Sequence, residues 1–446
     1  GPPMQFRASD LVRALEKFDV PGVRLVGPDV LIDGSTFDTR DLRPGQLFVP
    51  LVAARDGHDF LEAALAAGAA AYLTSRPVEP GRAGTAIVVP DTAEALQRMA
   101  SWVRTLFPAS AIVVGVTGSV GKTTTKEFIV AALQGSNRVA ANIRSYNNEQ
   151  GLPVTIVNAP AETQVLVLEM GMRGFGQIAD LCRIARPSIG VVTRVGHAHT
   201  ELVGGIEGVA VAKGELVEAL PHQGVAILNA DDPRVLAMRD RASASVLTFG
   251  EASSSDIRIE DLRLDELGRC RFRVATPSGH VEVALRLPGR HMAANAAAAV
   301  AVGEALDVSP EEMAGRLSEA TGASRRMEMR RTSTGALLID DCYNANPTSM
   351  RSALDTLAEI PGRRHVAIVG VMAELDDAQR LHLEARRRAE ERGIEMIAVD
   401  TDLYGLDGVD LETAIEQALQ LDHDDVLLVK GSRVAALERV VDALTE

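Results

Sequence analysis

The chain has 446 residues, 46% of them apolar and 24% charged, which suits about three globular domains with sizeable cores. A net charge of −15 argues against nucleic acid or an anionic membrane surface as the main partner, since both demand basic faces. The three cysteines, Cys182, Cys270 and Cys342, lack CxxC spacing, so neither a disulfide framework nor a zinc site is expected. With no signal peptide and no run of 18 apolar residues, the expectation is a soluble, cytoplasmic protein with no stable membrane insertion.

Residues 4–107 form the first expected domain; Gly1-Pro2-Pro3 ahead of Met4 reads as a cloning remnant. LFVPLV (47–52) and AAAYLT (69–74) read as strands, with FLEAALAAG (60–68) a helix closed by Gly68. TLFPAS (105–110), with Pro108 inside it, reads as a linker into a second domain over 108–325.

That domain opens on AIVVGVTGSVGKT (111–123), a β-branched run breaking into glycines and ending in Lys122-Thr123. A buried strand leads into a turn where Gly118 and Gly121 let backbone N–H groups approach an anionic oxygen, and a helix then adds its positive end. The Lys122 ammonium suits β- and γ-phosphate, and the Thr123 hydroxyl suits Mg²⁺. The glycines run Gly115, Gly118, Gly121, and Val116 stands where the common spacing has its first glycine. SYNNEQG (145–151) follows as a polar loop, suited to peptide or sugar recognition or simply a turn. The buried strands VLVLEM (165–170) and IGVVTRV (189–195), separated by helices, give the βαβ pattern of a parallel sheet. Glu169 ends the first of these, where open α/β sheets bind ligands, and is placed to reach a nucleotide's Mg²⁺. The second runs into Gly196-His197-Ala198-His199, read as a metal or phosphate contact or as an exposed loop. Lys213, in VAVAKGEL, either snorkels to solvent or loses its charge. In the neutral form it can take up CO₂ as a carbamate, an anion able to bind a metal.

From 256 to 287 apolar and charged residues alternate, as in half-buried antiparallel strands, and an Ala-rich helix follows over 291–306. The third domain, 326–446, repeats strand and helix: LLIDD, HVAIVGVM, EMIAVD and DVLLVKGS are its strands. This is Rossmann-like, yet no GxGxxG opens it, which leaves dinucleotide binding with little support. Asp341, Asn344 and Asn346 after LLID, and Lys430-Gly431-Ser432-Arg433 after the last strand, cluster at strand ends facing a cleft. The fold class expected is thus α/β in three domains: an N-terminal α/β domain, a central P-loop parallel sheet carrying a small antiparallel sheet, and a Rossmann-like C-terminal domain.

The ordered set FDTRDLRPGQLFVPL, DGHDF, GVTGSVGKTTT, NNEQGLPVT, LEMG, VGHAHTE, AKGEL, LNADDP, DDCYNANPTSM, MAEL and LVKGSR resembles the Mur ligase family over essentially the whole chain. The displaced glycine is that family's own pattern. YNANP and KGSR favour the branch that adds D-Ala-D-Ala to UDP-MurNAc-tripeptide with ATP, through an acyl phosphate, in peptidoglycan synthesis.

The resemblance implies that the N-terminal domain holds the UDP end of the substrate, with Thr39 and Arg40 on the uridine nucleotide. Gly118, Ser119, Val120, Gly121, Lys122, Thr123 and Thr124 would wrap the phosphates of ATP. Asn295 would meet adenine, and Arg326, Asp341 and Asn344 would close on ATP. Thr123 and Glu169 would hold one Mg²⁺, His199 and a carbamylated Lys213 a second. Asn147 and Asn148 would line the muramoyl-peptide path; Lys430, Ser432 and Arg433 would meet the dipeptide. A monomer acting on small-molecule substrates, with no nucleic acid, is expected. Arg194, Met292, Val371 and Asp376 depart from the family pattern, read as tuning or as the mark of a specialised paralogue. A related amide ligase of another Mur or folylpolyglutamate type, and a non-catalytic nucleotide-binding partner, are the alternatives.

Overall fold

The computed structural model describes residues 1–143 and 146–446, so Ser145 of the expected polar loop lies outside the described residues. The chain divides into two compact units. The first comprises Gly1–Gly115, Asn137–Gly171 and Gly176–Ser188; the second comprises Val116–Ser136, Met172–Phe175 and Ile189–Glu446.

In the first unit a five-stranded sheet runs in the order Arg24–Val26, Thr85–Val88, Ala71–Thr74, Leu47–Phe48, Ser35–Thr36. All its neighbours are parallel except the first pair. The strand expected over 47–52 stops at Phe48, because Pro50 has no N–H to give a ladder. The helix expected over 60–68 covers Leu61–Ala66, and Gly68 closes the turn after it with φ of +99°. The expected linker begins in helix: Thr92–Leu106 takes up its first two residues, is capped at its start by Asp91, and buries Leu96, Met99 and Val103. Also in this unit, Val139–Ala141 pairs parallel with Val165–Glu169.

In the second unit the strands Ile189–Val192, Val225–Asn229 and Ser245–Gly250 are parallel neighbours. The antiparallel strands expected over 256–287 are Ile257–Leu264, Arg269–Thr276 and Gly279–Pro288, and the first of them joins the edge of the parallel sheet beside Phe249 and Gly250. The Ala-rich helix spans His291–Ala305 and is buried nearly all round, small side chains letting it pack closely on the helix Lys122–Leu133.

The last sheet of this unit runs Glu328–Arg331, Leu337–Asp340, Val426–Lys430, His365–Val369, Glu395–Ala398. The four expected strands are parallel; the unforeseen edge strand Glu328–Arg331, too charged to show an apolar period, pairs antiparallel. Its core holds Leu338, Ile368, Leu427, Val429 and Val441, each worth about 1.5–3 kcal/mol when fully buried. Among the described residues no helix is long and apolar enough to cross a membrane.

Candidate active site

The phosphate loop is shaped by two glycines at positive φ. Gly118 has φ of +153°, and a Cβ there would lie 1.9 Å from Thr193 Oγ1. Gly121, with φ of +84°, precedes the helix Lys122–Leu133, and its Cβ would fall 2.5 Å from Asn295 Oδ1. Thr193 Oγ1 donates to the Val120 carbonyl at 2.6 Å, Ser119 N–H to the Arg194 carbonyl at 2.7 Å, and Gly196 N–H to Ser119 Oγ at 3.0 Å. From the C-terminal sheet's side, Asn346 Nδ2 donates to the Ser119 carbonyl at 3.0 Å, while its Oδ1 caps the helix Pro347–Glu359. Thr125 Oγ1 donates to Asn295 Oδ1 at 3.2 Å, so Asn295 braces the first turn beneath Lys122, Thr123 and Thr124.

Ten of the expected residues line one small cavity of about 80 Å³: Ser119, Val120, Gly121, Lys122, Thr124, Asn295, Arg326, Asp341, Asn344 and Lys430. Helix N–H groups, two cations beside the loop and side-chain amides make it suited to polyphosphate. A second cavity of about 510 Å³ shares Val120, His291, Asn295 and Ser352 with it and extends to Arg194 and Asp232. Lys430, expected on the dipeptide, lines this same cavity. It is 2% exposed, and its Nζ donates to Asp341 Oδ2 at 2.6 Å and to the Asn344 carbonyl at 3.0 Å, as a buried ammonium requires. Arg326 and Arg433 stack on the Tyr343 ring, 4.3 and 5.1 Å from its centroid. Ser432 Oγ is engaged by the Ala373 N–H at 2.8 Å.

His199 precedes the short helix Thr200–Val203 with φ of +57°, and its Nδ1 is in contact with the Glu374 carboxylate. Burial pulls this imidazole below its ordinary range; Glu374 acts in the opposite direction, and the Lys213 and Lys122 ammonium groups add to the lowering. Lys213 ends the helix Ile206–Lys213 and is buried. Glu169 ends its strand in the first unit, 1% exposed, its main chain bracketed by the Asn142 amide and its Oε1 accepting from Asn147 Nδ2 at 3.1 Å. Asn147 therefore addresses Glu169, and Asn148 Oδ1 accepts from the Gly151 N–H at the start of the next helix. In the same unit Thr39 is half-buried, and exposed Arg40 forks onto Asp38.

At the four departing positions, hydrogen bonds are made by the main chain of Arg194 and Val371 and by the side chains of Met292 and Asp376. The Arg194 carbonyl holds Ser119, Met292 Sδ accepts from Asn295 Nδ2, the Val371 carbonyl takes the Ser432 N–H, and Asp376 Oδ1 accepts from Thr200 Oγ1 at 2.7 Å. Sequence reasoning did not single out Thr193, Asn346 as a loop partner, or Glu374. The last two lie inside the motifs YNANP and MAEL, which were the available signal.

Two family profiles match the stretches of sequence that carry these residues. That of the "Mur ligase middle domain" covers residues 116–303, and that of the "Mur ligase, glutamate ligase domain" covers 325–433. The UDP-N-acetylmuramoyl-tripeptide–D-alanyl-D-alanine ligase of Escherichia coli K12 is 36% identical over 96% of this chain and 97% of its own length. The chain belongs to the Mur ligase family. The ligase of the same name from Mycobacterium tuberculosis H37Rv is 37% identical, covering 92% of this chain and 91% of the relative. Among solved Mur ligases, MurF from Acinetobacter baumannii superposes with a TM-score of 0.89 at 29% identity, covering 99% of each chain. MurF from Thermotoga maritima in complex with ADP gives 0.79 at 29% identity, covering 92% of this chain and 96% of that one. A Mycobacterium tuberculosis folylpolyglutamate synthase, at 18% identity and 0.59, shares the fold alone over 78% of this chain and 94% of its own.

Proposed function

We propose that this Mur ligase joins D-alanyl-D-alanine to the terminal carboxylate of UDP-N-acetylmuramoyl-tripeptide, consuming ATP and releasing ADP and phosphate. The observation that carries this reading is the 36% identity, over 96% of the chain, to a ligase named for that reaction. A carboxylate is a poor electrophile. Its oxygen attacks the γ-phosphorus, the bridging P–O bond to ADP breaks, and an acyl phosphate results. The dipeptide amine adds to the acyl carbon; a tetrahedral species forms, the amine loses a proton, and phosphate leaves as the amide closes.

The chain's own contribution is positioning and charge compensation. The N–H groups of 118–124 and the Lys122 ammonium offset the β- and γ-phosphate charge that would repel the incoming carboxylate. Asn295 meets the adenine, with Arg326, Asp341 and Asn344 on the remainder of ATP. Thr39 and Arg40 hold the uridine nucleotide, Asn147 and Asn148 the muramoyl peptide, and Lys430, Ser432 and Arg433 the dipeptide. Each residue is by itself of the oxygen-donor kind that a hard cation takes: the Thr123 hydroxyl in one unit and the buried Glu169 carboxylate in the other. Thr123 and Glu169 would hold one Mg²⁺, His199 and Lys213 as its carbamate a second; as an ammonium Lys213 is no ligand. Bound Mg²⁺ supplies neutralisation of phosphate charge.

Phosphate release with a panel of acceptors tests the reading. Turnover is expected only when ATP, UDP-MurNAc-tripeptide and D-Ala-D-Ala are all present. Faster release with another amine or another carboxylate, such as a folyl-type substrate, would transfer the chain to a different ligase branch, and ATP binding without acceptor-dependent release would make it a non-catalytic partner.

A further inference from the structure

The segment Gly370–Asp377 crosses from the end of the strand His365–Val369 to the helix Ala378–Glu391, anchored at both ends by hydrogen bonds. Tyr404 Oη donates to the Gly370 carbonyl at 2.7 Å, and the Ser432 N–H to the Val371 carbonyl at 2.9 Å. The Met372 N–H donates to His382 Nε2 at 2.9 Å, and the Ala373 N–H to Ser432 Oγ at 2.8 Å. His382 is fully buried, its Nδ1 turned to the Ala378 carbonyl and its ring edge-on to Tyr404 at 4.8 Å. The two partners of that ring fix its tautomer: Nδ1 carries the proton and Nε2 accepts. At the far end, Asp376 takes the Thr200 hydroxyl at 2.7 Å and returns its N–H to the same oxygen at 3.3 Å.

Between these anchors lies Glu374, in the left-handed region at φ of +60°, a conformation few non-glycine residues adopt without a reason. Its carboxylate reaches His199 Nδ1 and lies 3.4 Å from Arg173 Nε. His199 is left-handed too, at φ of +57°. Two strained residues from opposite sides of the same contact meet side chain to side chain, so the contact is over-determined by the backbone on both sides.

We infer that Glu374 is a positioning residue for His199, delivered by a strap, Gly370–Asp377, whose shape is set by His382, Tyr404 and Ser432. A carboxylate at Nδ1 keeps the imidazole proton on that nitrogen, fixes the ring's rotation and leaves the Nε2 lone pair as the one offered to a divalent cation. The inference rests on the proposed role of His199 as a metal ligand. It also gives a physical meaning to the departure at Asp376: the strap is pinned to Thr200, the residue next to the histidine it orients.

The test is Mn²⁺ binding to the full chain with ADP, followed by electron paramagnetic resonance, for wild type and the variants His199→Ala, Glu374→Ala and Glu374→Gln. Circular dichroism melting of each variant checks that the fold is kept. Glu374→Ala is expected to weaken one Mn²⁺ site by about 10- to 100-fold. Glu374→Gln, whose amide oxygen can accept from Nδ1–H, should recover part of that loss. Loss in His199→Ala with no change in Glu374→Ala overturns the positioning role alone. No change in His199→Ala overturns that role together with the reading of His199 as a ligand. Equal, complete loss in Glu374→Gln and Glu374→Ala makes Glu374 a direct ligand and overturns positioning.

Discussion

Gly118 and Gly121 are the residues at which the loop admits the least substitution, and the reason is steric as well as torsional. A left-handed residue with a Cβ costs about 1–2 kcal/mol before any clash. At Gly118 the added carbon would meet Thr193 Oγ1 at 1.9 Å, displacing a hydroxyl that holds the Val120 carbonyl. Gly118→Ala is therefore expected to lower the thermal midpoint and weaken ATP binding at least tenfold, read by calorimetry on the same preparation. Lys122→Ala should behave differently: it removes charge from the mouth of a cavity, leaves the melting temperature nearly unchanged, and lowers ADP release by orders of magnitude. His291 supplies a pH dependence. Burial pulls its imidazole from 6.5 to about 4, with Asp341 opposing and Lys430 and Arg194 assisting. Below pH 6.5 the unfolded chain takes up a proton that the folded chain refuses until about pH 4, so stability is full above that window and falls as pH drops through it. Denaturant midpoints measured from pH 7 to 4 should flatten in His291→Gln.

At the scale of elements, the helix Pro347–Glu359 shows how one cap serves two purposes. Asn346 Oδ1 accepts from the Ser349 N–H at 2.9 Å, and its Nδ2 reaches the Ser119 carbonyl in the phosphate loop. Asn346→Ala should cost about 1 kcal/mol through the lost cap alone. Asn346→Asp keeps the cap but loses the donor, so chemical denaturation should find near-native stability while ATP affinity falls. The elements that were legible in the sequence were those with a period or a punctuating residue. Buried parallel strands such as Val426–Lys430 read as continuous apolar runs, and the strands over 257–288 as alternation. The misses have equally local causes. Pro50 cut short a strand, and Glu328–Arg331 is a charged edge strand without an apolar signature.

At the scale of the whole molecule, the buried pair Asp341–Lys430 joins the ends of neighbouring strands of the C-terminal sheet at 2.6 Å. Removing the ammonium leaves a carboxylate that is largely out of water. Lys430→Met is expected to cost about 3–5 kcal/mol in urea unfolding, and adding Asp341→Asn should restore most of it. By itself the sequence determined the phosphate loop, the parallel and antiparallel runs and the family, because glycine torsion, apolar period and motif order are properties of short segments. Which groups address one another was decided only by the tertiary structure. Lys430 facing Asp341, Asn346 holding Ser119 and Glu374 turned to His199 each join residues far apart in the chain, and no local pattern encodes such a pairing. It arises when packing brings two strand ends or loops together and a buried polar group must find its partner there.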